Sequence, residues 1–134
     1  MIEIKPITGT INAIITVPGS KSYTNRALIT AALANGESTI TNALFSDDTK
    51  YMASGLNILG IPIEEQQDAS RFVVHGKGGI IPVNQANLFI GNAGTAMRFL
   101  TAMLTLGNGV YEIDGVIRMR QRTIQDLLDG LRQL

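Results

Sequence analysis

Val17-Pro18-Gly19-Ser20-Lys21-Ser22-Tyr23-Thr24-Asn25-Arg26 joins an extended apolar run, Ile11 to Val17, to a stretch of good helix formers, Ala27 to Ala34. Strand, tight turn of small residues, helix N-terminus: this order builds an anion site, because the first backbone N–H groups of a helix lack intrahelical partners and the dipole puts partial positive charge there. Ser20 and Ser22 add hydroxyls, Lys21 adds a point charge, and Arg26 lies about one helical turn beyond Ser22. The same ten residues also read as a capped helix start with two solvated cations. The rest of the chain has to decide between the two.

Working outward, residues 2–7 and 11–17 read as short strands, and residues 22–34 as a helix stopped by Asn35-Gly36. Ser38 to Asn42 alternates as a strand. Ser46-Asp47-Asp48 offers an N-cap with acidic residues in the first turn. The helix behind it carries Tyr51, Met52, Leu56 and Leu59 on one face and ends at Gly60. Residues 61–65 and 71–75 read as a hairpin around Gln66-Gln67-Asp68, and residues 76–82 as a loop. A strand at 88–90 then leads through Gly91-Asn92-Ala93-Gly94-Thr95 to a helix over 96–106, stopped by Gly107-Asn108-Gly109. A strand at 110–114, a basic loop at 115–122 and an amphipathic helix over 123–134 complete the chain.

The two halves repeat. A shift of about 72 positions lays Gly19 on Gly91, Arg26 on Arg98 and Leu28 on Leu100, and one further position lays Asn35-Gly36 on Asn108-Gly109. The repeat predicts an α/β fold of βαβαββ units, one complete over residues 13–83 and one over 84–134 that stops before its closing hairpin. A fragment, or a chain that needs a partner to supply the missing strands, is the expectation; a two-unit domain is the alternative.

Composition narrows the function. Of 134 residues, 45% are apolar and 16% charged, with eleven basic and eleven acidic side chains, so any anion binding comes from local clustering. That balance argues against nucleic acid or an anionic membrane as partner. With no cysteine the chain has no disulfide, thiolate metal site or cysteine nucleophile. No apolar run is long enough to span a bilayer, and the N-terminus lacks a signal-peptide pattern, so a soluble cytoplasmic protein is expected. No Gly-x-Gly-x-x-Gly, Walker loop or metal-ligand spacing occurs. His75 ends a strand without a second ligand near it in sequence and reads as a surface histidine. Asp47 and Asp48 read as capping residues before they read as general bases.

Two helix termini of one kind, brought together by the repeat, can hold two anionic groups. Lys21, Arg26, Arg98, Arg118, Arg120 and Arg122 surround them, and three arginines within Arg118-Met119-Arg120-Gln121-Arg122 repel one another unless anions neutralise them. Read from residues alone, the chain binds a small, multiply anionic substrate at paired helix termini.

Four blocks carry a resemblance further: Pro18-Gly19-Ser20-Lys21-Ser22 with Asn25-Arg26-Ala27-Leu28; Ser46-Asp47-Asp48-Thr49; Leu88 through Gly94-Thr95-Ala96-Met97-Arg98; and Gly115 with Arg118-Met119 and Arg122. In order and spacing they resemble the 5-enolpyruvylshikimate-3-phosphate synthases. The resemblance covers about the first third of such an enzyme, which has two domains of three βαβαββ units each, the enolpyruvyl transferase inverse-barrel fold. Residues 1–12 would then be a strand belonging to the other domain. It implies transfer of the enolpyruvyl group of phosphoenolpyruvate to the 5-hydroxyl of shikimate 3-phosphate, a step of aromatic amino acid biosynthesis. The route is addition, then elimination of phosphate, with no metal or organic cofactor. Lys21 would touch both substrates, Ser22 and Arg26 would hold shikimate 3-phosphate, and Asn92, Gly94, Thr95 and Arg122 would hold phosphoenolpyruvate. Glyphosate would compete at the latter, where a side chain at Gly94 would crowd it. The family usually has proline where this chain has Phe99 and Thr123, which bears on that inhibitor. The acid/base residues and further substrate-binding groups would lie in the remainder of the enzyme, so this chain alone is expected to be inactive and to need the C-terminal portion as partner. A non-catalytic anion-binding module is the rival reading. The related UDP-N-acetylglucosamine enolpyruvyl transferases fit less well, given the Lys21 to Arg26 block and the absence of cysteine.

Overall fold

The computed structural model describes residues 2–134. Helix α1 (Lys21–Leu33) is capped by Ser20, whose hydroxyl accepts from the Tyr23 N–H. Strand β1 (Asn35–Ile40) follows at once, so Asn35 and Gly36 open a strand and do not stop the helix. Gly36 does take the left-handed φ of +91° expected of it, but Asn35 and Gly36 are paired with Lys77 and Gly76, a partnership the local sequence cannot reveal. Helix α2 (Asp47–Ile58) begins with a reciprocal capping box: Ser46 accepts from the Thr49 N–H and Thr49 Oγ1 receives the Ser46 N–H at 2.9 Å. Strands β2 (Ile63–Gln66) and β3 (Arg71–Lys77) form the expected hairpin. Strand β4 (Gln85–Phe89), helix α3 (Gly94–Leu104) and strand β5 (Val110–Asp114) come next, each close to its expected place. The basic loop contains one short helix, α4 (Ile117–Arg120). Helix α5 (Gln125–Leu131) is shorter than the expected 123–134 and buries none of its residues fully, consistent with Gly130 weakening its end.

Strands β1, β3 and β2 form an antiparallel sheet in that order, while β4 and β5 form a parallel pair joined through α3. Along β3, Phe72 and Val74 face the core and Val73 and His75 face outward, the period of two that a half-buried strand imposes. The helices α1, α2 and α3 pack on one another, with the antiparallel sheet over α1 and α2 and β4 against α2. Leu28, Met52, Leu56, Phe72, Ile90 and Leu100 are completely buried there. On the outer sheet face His75 sits between Glu64 (3.1 Å) and Glu37 (3.8 Å), partners from two neighbouring strands that sequence proximity did not indicate.

The expectation of strands at 2–7 and 11–17 is not met: residues 2–18 are neither helix nor strand. A strand exists only if its backbone finds a ladder, and no neighbouring strand pairs with this segment. Its Ile2, Ile4, Ile7, Ile11, Ile14, Ile15 and Val17 are therefore exposed. Met1 lies outside the described residues. Among those described, no helix is long and apolar enough to cross a membrane.

Candidate functional site

The repeat seen in the sequence has a physical counterpart. Arg26 donates from Nη1 to the Ser22 carbonyl at 3.0 Å, and Arg98, its match, donates from Nη1 to the Gly94 carbonyl at 3.2 Å. Each arginine leans back over the first turn of its own helix, as helical side chains do. The backbone approaches repeat as well. Gly19 lies against Asn42 just past β1, and Gly115, just past β5, lies against Gly91.

The first helix N-terminus splits its residues between two places. Lys21 reaches across to α2, where its Nζ is 3.4 Å from Asp48 Oδ1. Ser22 and Arg26, with Tyr23, line a separate open concavity of about 390 Å³. The Arg26 guanidinium also lies over the Phe99 ring, 5.7 Å from its centroid, so Phe99 supports the first helix from the second. Ser20 is committed as the cap of α1.

The second turn is tightly built. The Ala93 N–H bonds the Ile90 carbonyl and the Gly94 N–H bonds the Asn92 carbonyl, both at 3.0 Å. Arg122 lays its guanidinium on the start of α3. A Cβ on Gly94 would stand 2.7 Å from Arg122 Nη1 and 2.8 Å from Cζ, and Nη1 donates to the Asn92 carbonyl at 3.4 Å. Thr95 is half-buried in the first turn of α3. Asn92, Gly91 and Ala93 share a cavity of about 380 Å³ with Asp47, Asp48 and Tyr51 from α2. Lys21, Asp48, Asn92, Gly94 and Arg122 thus form one connected surface, and Ser22 and Arg26 stand beside it.

The remaining cations divide by partner. Arg120 is neutralised inside the chain: its Nε donates to Asp114 Oδ1 at 2.8 Å and its Nη2 to Oδ2 at 2.5 Å. These bonds, helped by the Gly115 N–H, hold the Asp114 carboxyl down at about 2, well below the usual carboxylate range. The three-arginine run is relieved by this protein carboxylate, and Arg118 and Arg122 remain exposed. Arg98 donates its other arm to the Thr123 carbonyl at 3.0 Å, tying α3 to the residue that follows Arg122. Sequence reasoning missed two members of the surface. Asp48 was legible as a helix-start carboxylate but not as the partner of Lys21. Tyr51 was read as a face residue of α2.

The sequence model of EPSP synthase (3-phosphoshikimate 1-carboxyvinyltransferase) matches residues 5–134. A 3-phosphoshikimate 1-carboxyvinyltransferase of Nostoc sp. is 52% identical over 131 residues, covering 98% of this chain and 31% of that protein. The chloroplastic enzyme of Petunia hybrida is 50% identical over 138 residues, covering 98% of this chain and 26% of that one. Among solved structures, EPSP synthase from Acinetobacter baumannii superposes with a TM-score of 0.78 at 28% identity, over 89% of this chain and 27% of that one. The chain thus spans roughly a third or less of the length of the relatives it matches. With the family model matching residues 5–134 and the fold superposing on that of a solved EPSP synthase, the chain belongs to the EPSP synthase family.

Proposed function

We propose that this chain is the N-terminal part of a cytoplasmic enolpyruvyl transferase that moves the enolpyruvyl group of phosphoenolpyruvate to the 5-hydroxyl of shikimate 3-phosphate. It works only with the complementary portion of the enzyme. What supports this most directly is Arg122: a planar cation seated on Gly94 and the Asn92 carbonyl at the N-terminus of α3 offers a fork and a dipole to one small anion. Asn92, Gly94, Thr95 and Arg122 take phosphoenolpyruvate. Ser22 and Arg26 take shikimate 3-phosphate in the neighbouring concavity, and Lys21, between the two, serves both. In the reaction the 5-hydroxyl gives up its proton and its oxygen bonds C2 of phosphoenolpyruvate as the C2=C3 double bond opens and C3 takes a proton. C3 then gives a proton up, the C2=C3 double bond re-forms, and the C2–O bond to phosphate breaks, releasing phosphate. Lys21 and Arg122 would neutralise charge on the departing phosphate. Glyphosate is proposed to compete at the phosphoenolpyruvate half.

The test is phosphate release from the two substrates by this chain, by the complementary C-terminal polypeptide of the Nostoc relative, and by their mixture. Neither half alone should turn over, and the mixture should. A silent mixture in which both halves are folded would leave the anion-binding module as the surviving reading.

A further inference from the structure

Tyr51 stands in the cavity between α2 and the Gly91–Gly94 turn, and none of the roles above uses it. Its ring meets Phe89 edge-on, with centroids 6.1 Å apart and planes at 73°. The ring also lies against Gly91: a Cβ there would stand 2.5 Å from Tyr51 Cζ and 2.6 Å from its Oη. Gly91 itself has φ +55°, left-handed, so both the ring and the backbone require glycine. Gly91 is also where three things meet. It lies two residues past the end of β4, it begins the turn that delivers Asn92 and Gly94, and its carbonyl accepts the Val116 N–H at 3.0 Å, pinning the loop that carries Arg122.

We propose that Tyr51 is a positioning residue of the anion site, its ring packed against both Phe89 and Gly91 to fix the direction of the Asn92–Gly94 turn and the seat of Arg122. The proposal rests on the reading that this turn takes phosphoenolpyruvate. The ring does the positioning, since it is the ring that fills the space; the hydroxyl is dispensable. A branched aliphatic side chain is too short to touch both neighbours and lets the turn tilt. A displacement on the order of 1 Å at a reacting centre costs up to about a hundredfold in rate.

Tyr51→Phe and Tyr51→Leu separate these roles in two measurements. The first is amide hydrogen exchange on this chain. Tyr51→Leu should speed exchange at Ala93, Gly94 and Val116 about tenfold or more, leaving the β3 amides of Phe72 and Val74 within about twofold. Tyr51→Phe should leave all five unchanged. The second is turnover by the mixture with the complementary polypeptide. There Tyr51→Leu should raise KM for phosphoenolpyruvate about tenfold with KM for shikimate 3-phosphate unchanged, and Tyr51→Phe should restore it. Unchanged exchange at the turn in Tyr51→Leu, an equal effect of Tyr51→Phe, a loss spread over β3, or a loosened turn with unchanged KM would each overturn the proposal. A wild-type mixture without turnover counts against the proposed function alone, and the exchange result then decides the role of Tyr51.

Discussion

Gly94 has no room for a methyl group, because the space is filled by the Arg122 guanidinium. Gly94→Ala must push that cation off the start of α3. A charge-assisted contact is worth roughly 1.5–3 kcal/mol, so KM for phosphoenolpyruvate in the reconstituted mixture should rise about tenfold or more. KM for shikimate 3-phosphate should hardly move, since Ser22 and Arg26 lie elsewhere. Asp114 makes a second prediction at this scale. Its carboxyl sits near 2 in the folded chain against a reference of 3.8. Its contribution to stability is therefore full above about 3.8 and is lost as pH falls from there through about 2. Carboxyl NMR titration should find the low midpoint, and Arg120→Gln should raise it. Both residues show what the sequence could and could not say. From the sequence Gly94 is expected to let a ligand approach the backbone, but the arginine that fills its space comes from 28 positions further on and is seen only once the chain folds.

At the scale of elements, legibility followed locality. The start of α2 could be read because Ser46 and Thr49 settle each other's backbone groups within one turn. Ser46→Ala should cost about 1 kcal/mol, measured as a lower urea midpoint with an unchanged slope. The β2–β3 hairpin and the β4–α3–β5 crossover were equally local and equally readable. Strands whose partners lie far away were not. The start of β1 was misjudged because its register is set by Lys77 and Gly76, some forty positions away. Residues 11–17 have the propensity of a strand but no ladder to join, and propensity alone does not make a strand. The paired arginines Arg26 and Arg98 were found by laying the halves together, which worked because a helix N-terminus repeats its chemistry with its sequence.

For the molecule as a whole, seven large apolar side chains are exposed along residues 2–17, and apolar side chains also line two grooves, one between α1 and α3 with Ile29, Leu33, Phe99 and Met103, the other beside β5 with Met97, Leu104, Tyr111 and Ile113. Patches of this kind mark surfaces that other protein covers. Brief digestion with proteinase K should cut first within residues 2–18, where no ladder protects the backbone. Adding the complementary polypeptide of a relative should slow that cut, read by mass spectrometry of the fragments. Unchanged cleavage in the mixture would show that the two pieces do not associate through this segment.

The contact between Lys21 and Asp48 bears on selectivity. An anion that arrives at the site finds the lysine already holding a counter-ion, so binding is an exchange and not a simple addition. Weak, singly anchored ions such as sulfate or inorganic phosphate gain little from such an exchange, while a ligand that also engages Arg122 can displace the carboxylate and stay. Under the proposed function, Asp48 would thereby screen the site against the abundant simple anions of its solution. Exposed ion pairs contribute about 0.2–1 kcal/mol, so Asp48→Asn should tighten inorganic phosphate binding by up to about fivefold in a calorimetric titration. The same change should narrow the margin by which the larger substrates are preferred.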